Sequence, residues 1–158
     1  MAELVLATNG IEIETARKLF LEYGSWLGFD LCFQGFDKEL AELPGKYAPP
    51  SGRLYLLKEN NEYSGCIGLR EIEPGICEMK RLYVKPEHRG KGYGKLLAQQ
   101  IIKDAKAIGY DKMRLDTIGE KMKSAINIYY SLGFKEISAY YHNPHDGVVY
   151  MELYLVKI

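Results

Sequence analysis

The 158-residue chain predicts a mixed α/β (α+β) fold, a central mixed, mostly antiparallel twisted sheet of about seven strands flanked by about four helices. Three observations lead there. Two long segments, Ile11–Trp26 and Lys91–Ile108, place apolar residues at helical spacing. Between Arg53 and Lys85 the period becomes that of strands, broken at Asn60-Asn61 and Pro74-Gly75, the pattern of an antiparallel meander. Beyond Ile108, strand-like and helix-like segments alternate to the C-terminus.

In chain order, Leu4–Ala7 reads as an opening strand. Ile13, Ala16, Leu19, Phe20 and Tyr23 mark the first helix. Phe36–Leu43 reads as a short second helix ending before Pro44, and Lys46–Gly52, with Pro49-Pro50 and Gly52, as loop. Arg53–Lys58, Tyr63–Glu71 and Cys77–Lys85 are the meander strands. The Lys91–Ile108 helix carries the stripe Tyr93, Leu97, Ile101, Ala105 and Ile108, and Gly109 stops it. Lys112–Thr117 alternates as a strand. Lys121–Leu132 is an amphipathic helix ended by Gly133. Phe134–Ala139 and Val148–Val156 close the chain as strands.

Hydrophobic residues make up 47% of the chain, enough for a core. Lys plus Arg number 21 and Asp plus Glu number 21, so there is no basic excess to bind nucleic acid or anionic lipid in bulk. No apolar run approaches the roughly 18–20 residues that cross a bilayer. The start, Met1-Ala2-Glu3-Leu4, lacks the basic opening of a signal peptide. Cys32, Cys66 and Cys77 show no CxxC spacing, which argues for a reducing compartment and for cysteines as small apolar filler. The expectation is one domain over residues 1–158, cytoplasmic, with neither nucleic-acid nor membrane partners.

The most informative stretch is Met79–Leu97, MKRLYVKPEHRGKGYGKLL. A strand ends at Val84-Lys85, Pro86-Glu87-His88 turns, and Arg89-Gly90-Lys91-Gly92-Tyr93-Gly94 opens a helix. Glycine in a helix costs about 1 kcal/mol relative to Ala. Three in one turn imply that side chains there would keep something large from the backbone. A helix N-terminus offers about four unpartnered N–H groups and the positive end of the dipole. Arg89 and Lys91 add charge, so a phosphate or pyrophosphate ligand is expected. The dinucleotide pattern G-x-G-x-x-G fails at Lys95, and the P-loop pattern fails at Arg89 and Leu96. What stands is R-x-x-G-x-G, as Arg89, Gly92 and Gly94.

R-x-x-G-x-G after a strand and before a helix resembles the acetyl-CoA site of the GCN5-related N-acetyltransferase (GNAT) superfamily. Downstream, Ala125 to Phe134 (AINIYYSLGF) resembles that family's A-x-x-x-Y-x-x-x-G-F segment, one strand later and in the right order. The resemblance covers roughly residues 50–138 and implies a GNAT-like acyl-CoA N-acyltransferase fold. It implies that acetyl-CoA is a co-substrate and that main-chain amides of Gly90, Lys91, Gly92, Tyr93 and Gly94, framed by Arg89, hold its pyrophosphate. It implies that Leu82, Tyr83 and Val84 pair with the pantetheine arm, in a splay between their strand and Lys112–Thr117. Tyr129 matches the tyrosine that protonates the departing thiolate. Where many members carry Asn, this chain has Met122, so no contact is expected from that side chain.

Transfer to an amine of pKa near 10.4 requires removal of a proton, at about 4–5 kcal/mol at pH 7. Glu78, eleven residues before Arg89, stands where histone-modifying members carry a base glutamate, and a water chain is the other route. In a regular strand Glu78, Lys80, Leu82 and Val84 share a face; a bulge would change that. A solvated carboxylate paired with Lys80 or Arg81 is the plainer reading of Glu78, and a core aromatic that of Tyr129. An N–H near Leu82 would meet the carbonyl oxygen. His142 and His145 flank Asn143-Pro144 in a polar loop with too few ligands for a metal, and no metal is expected. Tyr140, Tyr141 and His142 are candidates for the acceptor pocket. Asp30, Asp37, Glu39 and Glu42 would attract a cationic acceptor or simply form a solvated helix face. The resulting expectation is direct transfer of acetyl, in a ternary complex, to a primary amine of a small molecule or peptide. A non-catalytic acyl-CoA sensor on the same fold, and an unrelated phosphate-binding domain, stay open. A homodimer is a common family arrangement.

Overall fold

The computed structural model describes residues 2–28, 35–119 and 122–155. Asp30 and Cys32, the expected helix start at Lys121 and the expected strand end at Val156 lie outside them. In chain order the elements are β1 (Ala2–Leu6), α1 (Gly10–Leu27), α2 (Phe36–Glu42), β2 (Arg53–Glu59), β3 (Glu62–Glu73) and β4 (Ile76–Val84). There follow α3 (Tyr93–Ile108), β5 (Lys112–Ile118), α4 (Lys123–Ser131), β6 (Lys135–Ile137) and β7 (Val148–Tyr154). Short 3-10 turns at Gly45–Tyr47 and Pro86–His88 lie in segments expected to be loop and turn. The strands form one sheet in the order β1-β2-β3-β4-β5-β7-β6. Each pairing is antiparallel except β4 with β5.

The strand period assigns side chains to two faces. On β2, Leu54 and Leu56 pack with Ala16, Leu19 and Phe20 of α1, while Leu57 packs with Leu97 and Ile101 of α3. Burying each such side chain contributes about 1.5–3 kcal/mol. Helix α1 starts at a capping box: Asn9 accepts the Glu12 N–H at 2.9 Å and Glu12 accepts the Asn9 N–H at 3.3 Å. The Glu12 carboxylate is held below its ordinary pKa by the Thr8 N–H it accepts.

Helix α3 begins at Tyr93, two residues later than expected. Gly92 has φ 80°, a left-handed conformation that no helix interior admits, and serves as the N-cap. Strand β6 is only three residues long, shorter than the expected Phe134–Ala139.

Strand β4 departs from regularity in a way that shapes the site. Lys80 pairs with Gly68 and Tyr83 with Cys66, so Arg81 and Leu82 together oppose Ile67. Arg81 takes φ 61°, unusual for a non-glycine residue. This is a β-bulge, and it reverses the alternation. Cys77 and Met79 lie on the α3 face before it; Leu82 and Val84 lie on that face after it. Glu78 and Lys80 are on the opposite side. The expected common face of Glu78, Lys80, Leu82 and Val84 is therefore corrected.

Candidate active site

β4 and β5 pair only from Ile76 to Glu78, against Lys112 to Arg114. Beyond that the parallel ladder stops, short of Arg81, where the bulge begins. The opening holds a cavity of about 40 Å³ between Met79–Leu82 on one strand and Asp116–Ile118 on the other, with Tyr129 and Met122 also lining it. On one side lies a groove of about 450 Å³ that reaches the glycine turn. On the other lies a cavity of about 360 Å³ beneath Tyr140 and Tyr141. Leu82 and Met122 line both the groove and the slot; Lys80 lines both the slot and the third cavity. Groove, slot and cavity thus run in series through the parted strands.

Leu82, Tyr83, Val84, Arg89, Gly90, Gly92, Tyr93 and Gly94 line the groove. Gly90 has φ 84° and, like Gly92, would meet nothing within 4 Å if it carried a Cβ. Their need for glycine within the chain is thus conformational. Gly94 differs: a Cβ there would come within 3.2 Å of Ile128, so it lets α3 pack close to α4. Arg89 donates to the Val84 carbonyl at 2.8 Å and stacks its guanidinium 4.6 Å from the Trp26 ring centre, tying the turn to β4 and α1.

The Lys91 side chain turns away from the groove and donates to Glu59 at 3.1 Å. Glu59 also meets His88 Nδ1 at 3.0 Å and the Tyr93 hydroxyl. The hydrogen bond from Lys91 holds its carboxyl below the ordinary range. One carboxylate on β2 thus organises the whole turn, a long-range role with no local signature. Trp26, Ser124, Asn127 and Ile128 also face the groove; the last three sit at helical spacing, a signal the sequence did carry. Met122 does line the groove, and it accepts a hydrogen bond from Thr117 at 3.2 Å.

Tyr129 is 4% exposed and points into the slot, whereas Tyr130 is 50% exposed. Burial pushes the Tyr129 hydroxyl pKa well above its ordinary value, so it stays protonated.

Glu78 is 1% exposed, not solvated as its plainer reading had it. Arg70 donates to it at 3.0 Å from Nε and approaches at 2.9 Å from Nη2; the Tyr140 hydroxyl donates at 2.5 Å. Burial raises its pKa, but Lys80 and Arg70 outweigh that and the net direction is down. Lys80 Nζ lies 3.9 Å from the same carboxylate. Burial, reinforced by Arg81, pushes the Lys80 pKa down to about 8.

Of the acids named as cation attractors, Glu39 is engaged by Arg81. Asp116, not singled out from sequence, lines the slot and holds the β6–β7 loop by accepting from Asn143 at 3.0 Å and from the Tyr141 hydroxyl. Asn143 and His145 reach the slot, while His142 is exposed. Cys66 and Cys77 are buried; burial raises both thiol pKa values, that of Cys77 to about 12. Neither is poised as a nucleophile. Among the described residues one group, Glu62, Glu87 and His88, brings three ligand atoms within 4.8 Å of one another, two of them from exposed carboxylates.

A family model described as the acetyltransferase (GNAT) family matches residues 16–134. The chain belongs to this family. It is 42% identical over 148 residues to an uncharacterised N-acetyltransferase of Schizosaccharomyces pombe, covering 92% of this chain and 90% of that one. Among solved structures, a GNAT acetyltransferase of Staphylococcus aureus Mu50 superposes with a TM-score of 0.80 at 22% identity, over 99% of this chain and 100% of that one. The PaiA N-acetyltransferase of Thermoplasma acidophilum, solved in complex with coenzyme A, superposes with a TM-score of 0.74 at 22% identity, over 98% and 99%. These structures establish the GNAT fold for the chain. Among the described residues no helix is long and apolar enough to cross a membrane.

Proposed function

We propose that the protein is an acetyl-CoA-dependent N-acetyltransferase that moves acetyl directly to a primary amine in a ternary complex. The observation that carries this reading is the series of cavities through the parted strands. It gives a thioester and an amine separate approaches to one small slot. Acetyl-CoA lies in the groove, its pyrophosphate on the amides of Gly90 to Gly94 at the start of α3. Its pantetheine arm pairs with Leu82, Tyr83 and Val84, main chain that β5 leaves without a ladder partner. The thioester enters the slot, where an N–H near Leu82 meets the carbonyl oxygen as charge develops on it.

The acceptor amine attacks the thioester carbon, the C–S bond breaks, and Tyr129 gives its proton to the leaving thiolate, the phenolate regaining a proton from solvent as the thiol departs. The amine's own proton must go to a group on the acceptor side. Passing it from an amine of pKa near 10.4 to a carboxyl at or below 4.5 is uphill by more than about 8 kcal/mol. Passing it to Lys80 at about 8 is uphill by only about 3 kcal/mol. Lys80 lines both the slot and the acceptor-side cavity and burial disfavours its ammonium form, so neutral Lys80 is the group placed to take the proton, with Glu78 as the ionised partner beside the resulting ammonium. The buried cysteines, with raised thiol pKa values, favour direct transfer over a covalent acetyl carrier.

Release of CoA thiol from acetyl-CoA in the presence of mixed amines, with mass spectrometry of the products, tests the reading. Acetyl-CoA binding without acetylation of any amine would instead favour the non-catalytic sensor.

A further inference from the structure

We infer that the cavity beneath Tyr140 and Tyr141 is a carboxylate subsite, so that the acceptor is an amine bearing its own carboxylate, of the amino-acid class. The inference rests on the acetyltransferase reading above and names the acceptor for it.

The charged side chains lining this cavity are Arg70, Lys80 and Arg114 against Glu73 and Glu78. Glu78 is almost fully buried and is already engaged, by Arg70 at 2.9 Å and with Lys80 Nζ 3.9 Å away. Glu73 is 57% exposed and stays 3.8 Å from Arg114, beyond hydrogen-bond reach. Arg114 spends Nε on Glu152 at 2.8 Å, and its guanidinium lies 5.4 Å from the Tyr140 ring centre. That contact aims the guanidinium while its two terminal nitrogens make no hydrogen bond among the described residues. Arg70 uses Nε and Nη2 on a single oxygen of Glu78, which leaves Nη1 unspent. Two half-buried guanidiniums with unspent donors, at 23% and 18% exposure, suit the fork geometry of a carboxylate.

Position agrees with charge. Lys80 lines this cavity and the slot alike, so a carboxylate held here places an amine a few bonds away beside Lys80 and the thioester. A polyamine or other polycation would meet the guanidiniums of Arg70 and Arg114 at the same wall. The volume of about 360 Å³ accommodates an amino-acid-sized molecule.

The test is acetylation kinetics with matched acceptors: leucine, phenylalanine, β-alanine and 4-aminobutanoate, each beside its amide and its decarboxylated amine, with spermidine as a polycation. Acetyl-CoA binding is measured by calorimetry on the same samples, so loss of cofactor binding, which would sink the acetyltransferase reading, is seen separately. At least one carboxylated acceptor is expected to exceed its amide and its decarboxylated amine by about tenfold to a hundredfold in kcat/KM. Arg114→Gln should remove most of that preference through KM, and Arg114→Lys should keep part of it, with acetyl-CoA binding unchanged in both. Equal or better turnover of the amides, decarboxylated amines or spermidine by the wild-type protein overturns the inference. So does acetyl-CoA binding with no carboxylated acceptor turned over.

Discussion

Arg81 holds Glu39 through two hydrogen bonds, from Nε at 2.9 Å and from Nη2 at 3.0 Å, with the Arg81 side chain only 2% exposed. The pair joins α2 to the bulge of β4, and Phe36 and Tyr23 pack their rings against the same guanidinium. Arg81 is also the residue with φ 61° that lets Leu82 change face. The anchor therefore stands next to the main chain proposed to meet the thioester.

Glu39→Ala leaves the buried guanidinium without its carboxylate. Removing one partner of a buried ion pair costs about 3–5 kcal/mol. Denaturant unfolding should show a loss of that order, and a loss under about 1 kcal/mol would mean that water replaces the carboxylate and the pair is no anchor.

Tyr129→Phe keeps the ring that packs 5.7 Å from Phe134 and removes only the hydroxyl. The turnover number is expected to fall by about 10²-fold or more, with acetyl-CoA affinity close to wild type. Unchanged turnover would take Tyr129 out of the mechanism.

Lys80 gives the reaction a pH dependence of definite sign. The proton-accepting form is the neutral one, present above about 8. The rate should rise with pH through that value and then level off. Lys80→Met should lower turnover and abolish this inflection. A profile that keeps the same inflection without the lysine assigns it to another group, the acceptor amine foremost.

Glu78 links stability to acid. Its folded pKa lies below the ordinary 4.5, so its ion pairs stabilise the fold fully above that value. The contribution is lost as pH falls from 4.5 through the lowered folded pKa. Glu78→Gln should flatten the acid limb of a stability–pH curve; a limb of the same steepness would show that other carboxylates govern it.

Much of the fold was legible because hydrophobic period reports which face of an element is buried. The order of helices and strands, the meander and the stripe on α3 all follow from it. Residues missed by sequence reasoning share a cause: their roles are made by distant contacts. Glu59 organises the glycine turn from another strand, and Arg114 and Asp116 meet loop residues that follow them by more than twenty positions. The bulge was hidden because its left-handed residue is an arginine rather than a glycine, held there by a carboxylate on α2. Gly90 and Gly92 drew notice in the sequence as an expected phosphate site, while their positive φ needed the backbone itself.

A crystal structure of the protein with acetyl-CoA examines the proposed cofactor site most directly. The pyrophosphate is expected within hydrogen-bond distance of main-chain amides between Gly90 and Gly94, with the acetyl group in the slot between β4 and β5 and the sulfur facing Tyr129. A bound cofactor whose phosphates lie away from that turn, or whose thioester stays outside the parted strands, would contradict it.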